Sequence, residues 1–239
     1  MIIIPDIHGR NFWKDAVKGH EDEEIVFLGD YVDPYSSLEN VDTWNGLDSL
    51  SEVIDFKKAH PDNVTLLLGN HDLSYLSDQI VQCRHDDENH DEIRLLLLLN
   101  IHLFKIAHEK RIGNKIYVFS HAGILPNWLK QNDSVLGKIR PGHEVEELNW
   151  LFQEGKLYQA LGNVSFYRSG GFEYGSCIWA DIHEHLDCEL YDESSCHDVY
   201  QIFGHTLQLN EKPVVTEHFA CIDCRHAFIL DDNGTLTRI

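Results

Sequence analysis

The sequence predicts an α/β domain with a β-rich C-terminal part. Three observations lead there. In the first half, short continuous apolar runs alternate with helical patterns, the mark of strands covered on both faces. After Ile178 the helical pattern gives way to short strands separated by turn residues. Polar signatures rich in Asp, His and Gly follow directly on the apolar runs, and ligands of α/β sheets gather at the carboxyl ends of strands.

The elements follow in order. Ile2–Pro5 reads as a buried strand, Phe12–Lys18 as a brief helix and Ile25–Leu28 as a second strand. Glu21-Asp22-Glu23-Glu24 is a solvated turn before it. Thr43–Ala59 reads as a helix and Val64–Leu68 as a third strand. Glu92–Arg111 is expected to be one helix, apolar enough for burial on more than one side. His85-Asp86-Asp87-Glu88-Asn89-His90-Asp91-Glu92 reads as the solvated loop that opens it. Leu73–Arg111 is thus a mainly helical stretch, expected either to wall the site or to cover the sheet. Ile116–Phe119 is a fourth strand, and Trp128–Leu129 and Glu144–Phe152 are helical. Trp44, Trp128 and Trp150 sit in helical patterns that place them in the core. Val199–Phe203, Val214–Glu217, Cys221–Ile222, Ala227–Leu230 and Leu236–Ile239 are expected as strands, largely antiparallel. Asp231-Asp232-Asn233-Gly234 is the hairpin turn between the last two.

Length and charge narrow the function. At 239 residues one domain, 1–239, is expected, without repeat or linker. A net charge of -21 repels nucleic-acid backbones and anionic membranes, which disfavours bulk nucleic acid or a membrane surface as partner. It also opposes the approach of anionic substrates, so metals and arginines at a site must overcome it locally. Met1 enters an apolar strand at once, without a basic leader, which points to the cytoplasm. The six cysteines, at 83, 177, 188, 196, 221 and 224, are then expected as free thiols. Cys221-Ile222-Asp223-Cys224 lacks the second pair that a zinc site needs.

The chemistry lies in five ordered signatures: Asp6-Ile7-His8-Gly9, Gly29-Asp30-Tyr31-Val32-Asp33, Gly69-Asn70-His71-Asp72, Ser120-His121-Ala122-Gly123 and Gly204-His205-Thr206. A lone buried His or Asp is usually a satisfied core residue. An ordered set of Asp, His and Asn after successive strands is the donor set of a two-metal site. Carboxylate, amide and imidazole ligands suit Mn, Fe or Zn rather than soft copper.

With these residues the chain resembles the calcineurin-like metallophosphoesterase superfamily, and within it the bacterial phosphoprotein-phosphatase and diadenosine-tetraphosphatase branch. Ile178-Trp179-Ala180-Asp181 resembles that branch's Trp-Ser-Asp segment, and Cys221-Ile222-Asp223 its C-terminal end. The resemblance implies a four-layer α/β/β/α sandwich with two mixed β-sheets. It implies two transition-metal ions, one held by Asp6 and His8, one by Asn70, His121 and His205, with Asp30 shared. The activity it implies is hydrolysis of phosphomonoesters, phosphoprotein among them, by a metal-bridging hydroxide. His71 would be the acid that protonates the leaving group, held by Asp33. Asp72 stands where the branch usually has Glu. Pro34 stands where it usually has an arginine that grips phosphate, and Tyr167-Arg168-Ser169-Gly170-Gly171 resembles an Arg-Gly-Gly segment of some relatives, so Arg168 is the expected replacement. Arg10, Arg84 and Arg225 are the other basic candidates. Two alternatives stand beside the phosphatase: a hydrolase of nucleotide polyphosphates such as diadenosine tetraphosphate, and a non-catalytic metal-binding regulatory module.

Overall fold

A computed structural model describes residues 1–35, 46–189 and 198–239. In chain order its elements are β1 (Ile2–Ile4), α1 (Phe12–Val17), β2 (Ile25–Phe27), α2 (Gly46–Ala59), β3 (Val64–Leu67), α3 (Asn70–Ser74), α4 (His90–Asn100) and β4 (Phe104–Lys105). They continue with β5 (Ala107–Ile112), β6 (Lys115–Ser120), α5 (Pro126–Gln131), α6 (Asp133–Leu136), α7 (Glu144–Gln153), α8 (Tyr158–Leu161) and α9 (Ile182–Leu186). The chain ends through β7 (Val199–Phe203), β8 (Val214–Val215), β9 (Phe219–Cys221), β10 (Phe228–Leu230) and β11 (Leu236–Arg238). Two mixed sheets result, as expected of this fold class. The residues group into two compact units, one of Met1–Asp78, Gln82–Phe104 and Arg225–Ile239, the other of Gln79–Val81 and Lys105–Cys224.

In the first unit the sheet order is β11-β10-β1-β2-β3-β4. β1, β2 and β3 run parallel, in registers such as Ile3↔Val26 and Val26↔Thr65. Their residues Ile2, Ile3, Ile4, Ile25, Val26 and Phe27 are all fully buried, which is why they read as unbroken apolar runs. Parallel pairing also places the residues after all three strands at the same sheet edge. β10 and β11 close the other side as an antiparallel hairpin turned at Asp231–Gly234. The second sheet runs β5-β6-β7-β9-β8, with β6, β7 and β9 parallel.

Several sequence expectations are corrected. Glu92–Arg111 is not one helix: α4 ends at Asn100, a 3₁₀ turn covers Ile101–Leu103, and Ala107–Ile112 is a strand. β5 pairs antiparallel with β6 from Ala107↔Ser120 to Ile112↔Lys115. Only Gly113 and Asn114 separate the two, a Gly-Asn hairpin turn with Gly113 at φ 59°. That turn outweighs the helical preference of the preceding charged residues. The mainly helical part of 73–111 therefore stops at Leu103. Nor is α4 buried on several sides. Ile93 and Leu97 are buried, but Leu95, Leu98 and Leu99 are 56%, 47% and 67% exposed, because α4 packs by one face, on α2.

The C-terminal strands pair largely antiparallel, β8 with β9 and β10 with both β1 and β11, but they divide between the two sheets. β7 pairs parallel with β9, and β10 and β11 join the first sheet. Trp128 is fully buried, as expected, whereas Trp150 is half-exposed, with the Lys156 ammonium 4.8 Å from its ring centre. Trp44, Cys196 and residues 43–45 of the helix at Thr43–Ala59 lie outside the described residues. Cys83, Cys177, Cys188, Cys221 and Cys224 are free thiols. Among the described residues no helix is long and apolar enough to cross a membrane.

Candidate metal centre

In the first unit the site grows from three loops at the carboxyl ends of β1, β2 and β3. The loops are tied by their backbones. The Ile7 and His8 amides donate to the Asp30 carbonyl at 3.1 and 2.9 Å. The Asp72 carboxylate accepts three backbone N–H groups, from Gly69 at 2.9 Å, Asp30 at 2.8 Å and Tyr31 at 3.0 Å. The first closes the N-terminus of α3 as the third-residue half of a capping box does. The other two bind the second loop to the third. Burial and the adjacent Asp30 carboxylate push the Asp72 carboxyl well up, against the pull of its backbone donors.

Close approach sets the glycines. A Cβ on Gly69 would lie 2.0 Å from Asp30 Oδ1, and one on Gly29, at φ 107°, would lie 2.4 Å from the Gly69 nitrogen. His8, Asp30 and Asp33 themselves take φ of 45°, 55° and 58°. Left-handed backbone costs a non-glycine residue roughly 1–2 kcal/mol. Such outliers persist where the surroundings over-determine them, and they cluster at functional sites.

The side chains converge. His8, Asp30 and His71 are buried and present ligand-type atoms within 4.8 Å of one another. The His8 Nδ1 lies 2.8 Å from the Val32 carbonyl, which only an N–H there can satisfy, so the neutral ring carries its lone pair on Nε2. That nitrogen faces Asp30 Oδ2 at 3.4 Å. A lone pair opposed to a carboxylate in a buried place is suited to a cation, so this donor set fits a metal ion. Asn70 donates its amide N–H to Cys83 Sγ at 3.3 Å. Asp6, at 2% exposure, is buried beyond the end of β1.

His71 is bonded differently. Its Nδ1 lies 2.6 Å from Asp33 Oδ2, and its backbone N–H donates to Asp30 Oδ1 at 3.0 Å. Burial opposes the imidazolium, but the Asp30 charge and the bond to Asp33 outweigh it and hold the ring well above ordinary histidine. The result is an imidazole oriented by a carboxylate, with its charged form favoured. Beside it, the Arg84 guanidinium lies 3.4 Å over the Tyr35 ring and donates to the Asp33 carbonyl at 3.1 Å. The Tyr35 ring stands edge-on to His8 at 5.2 Å.

In the second unit His121 and His205 follow the parallel strands β6 and β7. Their loops meet where the Gly204 amide donates to the His121 carbonyl at 2.8 Å. His121 Nε2 and His205 Nδ1 are 3.1 Å apart, with His205 at φ 64°. Trp179 stands edge-on to His205 at 5.7 Å. His185, on α9, supports the loop from behind by a bond to the Ala122 carbonyl at 2.9 Å. Arg168 is engaged on two sides: Nη2 donates to Thr206 Oγ1 at 2.6 Å, and Nε lies 3.2 Å from Asp181 Oδ2.

The structure thus gathers His8, Asp30, Asn70, His71 and Asp33 in one unit, and His121 and His205 in the other. Sequence reasoning missed Tyr75 and the supporting contacts of Cys83 and His185, and ranked Arg84 below Arg168.

A family model described as calcineurin-like phosphoesterase matches residues 2–209. Among solved structures, the chain is similar to a cold-active protein-tyrosine phosphatase of a psychrophilic Shewanella, with 14% identity and a TM-score of 0.59, over 99% of this chain and 79% of that one. It is also similar to a protein serine/threonine phosphatase of Saccharomyces cerevisiae, with 13% identity and a TM-score of 0.55, over 100% of this chain and 78% of that one. At such identities the likeness is one of fold. No curated protein matches the sequence.

Proposed function

The chain belongs to the calcineurin-like phosphoesterase family, and from that premise we propose that it is a dimetal phosphatase of phosphomonoesters, phosphorylated protein side chains among them. It is a metal-dependent hydrolase of phosphoesters; the narrower substrate, the metals and the residue roles are our reading. The observation that carries it is the His71–Asp33 pair, 2.6 Å apart and buried beside metal-type donors. A scaffold that only bound metal has no use for an oriented acid.

In this reading Asp6, His8, Asp30, Asn70, His121 and His205 hold two ions, Mn, Fe or Zn. When bound, the ions acidify the attacking water and offset charge on the phosphoryl oxygens. The protein's own groups do the rest. Asp33 fixes the proton on His71 Nδ1, so the other ring nitrogen, Nε2, presents its proton to the ester oxygen. As the water oxygen bonds to phosphorus, the phosphorus–ester bond breaks and its electron pair stays on the leaving oxygen. That oxygen takes the Nε2 proton and departs neutral. Arg84 and Arg168 are our two candidates for substrate phosphate. Arg84 is supported by its place beside Asp33, Arg168 by its bond to the residue after His205.

One observation favours a nucleotide polyphosphate as a second reading. Phe166 and Phe172, 65% and 44% exposed, flank Arg168 and offer apolar faces to a base.

The test is a Mn²⁺-dependent assay of wild type and His71→Asn. The panel holds p-nitrophenyl phosphate, bis-p-nitrophenyl phosphate, a phosphopeptide and diadenosine tetraphosphate. We expect hydrolysis of monoesters and a loss of about 10²-fold or more in the variant on the phosphopeptide. Preference for diadenosine tetraphosphate would select the second reading, and equal rates for wild type and variant on the phosphopeptide would remove His71 from the mechanism.

A further inference from the structure

We propose that Tyr75 is a positioning residue for the proton-donating pair, acting through Asp33 without touching substrate; the proposal rests on the acid role given to His71 above. The Tyr75 side chain is fully buried. Its hydroxyl oxygen lies 2.5 Å from Asp33 Oδ1, while the other carboxylate oxygen, Oδ2, faces His71 Nδ1 at 2.6 Å. The direction of the first bond is fixed by a third group. The Asp86 backbone N–H donates to the Tyr75 oxygen at 2.7 Å, and an amide has only a proton to offer. The phenol therefore accepts from Asp86 and must give its own proton to Asp33.

The consequence is a carboxylate whose two oxygens have separate, assigned tasks. A carboxylate bonded only through Oδ2 keeps rotation about Cβ–Cγ, and with it a spread of His71 orientations. With Oδ1 anchored, that rotation is stopped, and the imidazole is held for transfer from Nε2. Loss of the phenol would also leave a buried carboxylate oxygen without this donor, in a loop already held at φ 58°.

The ring is itself held in place. His85 stacks on it, 4.2 Å between centres and 15° between planes, and is fastened to Ser74 Oγ at 2.7 Å and to Gln82 Nε2 at 2.8 Å. Arg94 Nη1 donates to the Tyr75 carbonyl at 2.7 Å. The segment after α3, read from sequence as a solvated loop, is thus the far side of the acid's support. One chain of bonds runs from the Asp86 amide through Tyr75 and Asp33 to His71.

The experiment separates leaving groups. A p-nitrophenolate departs without a proton, whereas an alkoxide needs one, so loss of the acid spares aryl phosphates and harms alkyl phosphates. Tyr75→Phe, His71→Asn and Asp33→Asn are compared on p-nitrophenyl phosphate and on a phosphoserine peptide with saturating Mn²⁺. His71→Asn should show the split at full size. Tyr75→Phe should lose about tenfold in kcat on the phosphopeptide, with KM unchanged, and less than about twofold on the aryl ester. Equal losses on both esters, or none on either, overturn the proposal. If His71→Asn shows no split, the acid reading fails first and the role of Tyr75 falls with it. If Tyr75→Phe does not fold, His85→Leu takes its place, since it loosens the ring and keeps the hydroxyl. A smaller split in the same direction then supports the proposal, and its absence overturns it.

Discussion

His185 fills the space that a side chain at position 123 would need. A Cβ on Gly123 would lie 2.3 Å from His185 Cε1 and 2.4 Å from Nε2, and the glycine sits at φ 86°. The glycine of Ser120-His121-Ala122-Gly123 is thus required twice, by backbone and by packing. Gly123→Ala should destabilise the protein by about 3 kcal/mol, the sum of a left-handed alanine and an overpacked core. Denaturant unfolding would measure it. The damage should extend to activity, since the displaced imidazole supports the loop that carries His121. An alanine variant with wild-type stability would show that His185 moves aside freely.

The same histidine makes stability depend on pH. Its complete burial lowers its pKa to about 4, against the bond to Ala122 and the charge of Asp181. The unfolded chain keeps the ordinary value near 6.5. Between these two values the unfolded state binds the extra proton, so folding weakens as pH falls. The contribution is complete above about pH 6.5 and is lost as pH drops through 4. At about 1.4 kcal/mol per unit, moving from pH 7 to 4.5 should remove about 2–3 kcal/mol in wild type. His185→Gln should lack that part of the slope. Parallel pH dependences for the two proteins would count against it.

Asp72 joins two loops that each carry site residues, with bonds to the amides of Gly69, Asp30 and Tyr31. Asp72→Asn replaces one accepting oxygen with a donor that faces an N–H. The buried mismatch should cost about 1–3 kcal/mol. It should also lower kcat, because Asp30 and His71 no longer keep their mutual placement. Circular dichroism melts and kcat on one ester measure the two effects together. Lost stability with full activity would make Asp72 a cap for α3 alone.

Much of this was legible in the sequence for a physical reason. The apolar runs of β1, β2 and β3 are buried on both faces, so period and burial agree, and the residues after each must share an edge. The β5–β6 hairpin was hidden because His108, Glu109, Lys110 and Arg111 have no apolar alternation, and their strand is set by pairing with β6. His71 and Asp33 were legible as residues, since each follows a strand within a short signature. Their support was not. Tyr75, Asp86 and His85 act through bonds to one another, and ordinary residues of a helix end and a loop carry no local mark of that. Pro34 showed that a cation was missing, but only the fold puts Arg84 over Tyr35.

The two arginines should separate in kinetics. Arg84 is held flat on Tyr35 with a bond to the Asp33 carbonyl, so its removal takes away a fixed cation near the acid. Arg84→Ala should lower kcat/KM on phosphomonoesters by about 10–100-fold, the loss of a charge-assisted bond of about 1.5–3 kcal/mol. Arg168 is already engaged by Asp181 and Thr206, so Arg168→Ala should act in part through Thr206 and lose thermal stability as well. Steady-state kinetics with thermal melts distinguish them. A large kinetic loss in Arg168→Ala at unchanged stability, with Arg84→Ala silent, would reverse the assignment.

Metal should stabilise the fold through the facing pair His8 Nε2 and Asp30 Oδ2, 3.4 Å apart. The bond from His8 Nδ1 to Val32 is made by the folded loop, so the donor orientation exists only in the native state. A ligand that binds the native state alone adds about 2.7 kcal/mol at a hundredfold excess over Kd. Mn²⁺ should therefore raise the Tm of chelator-treated protein, and the rise should grow with the logarithm of concentration. His8→Ala and Asp30→Asn should each blunt it. His71→Asn should keep most of it, because its imidazole serves Asp33 and the leaving group instead of an ion. If His71→Asn abolished the metal-induced rise while His8→Ala kept it, the ligand and acid roles of these two histidines would have to be exchanged.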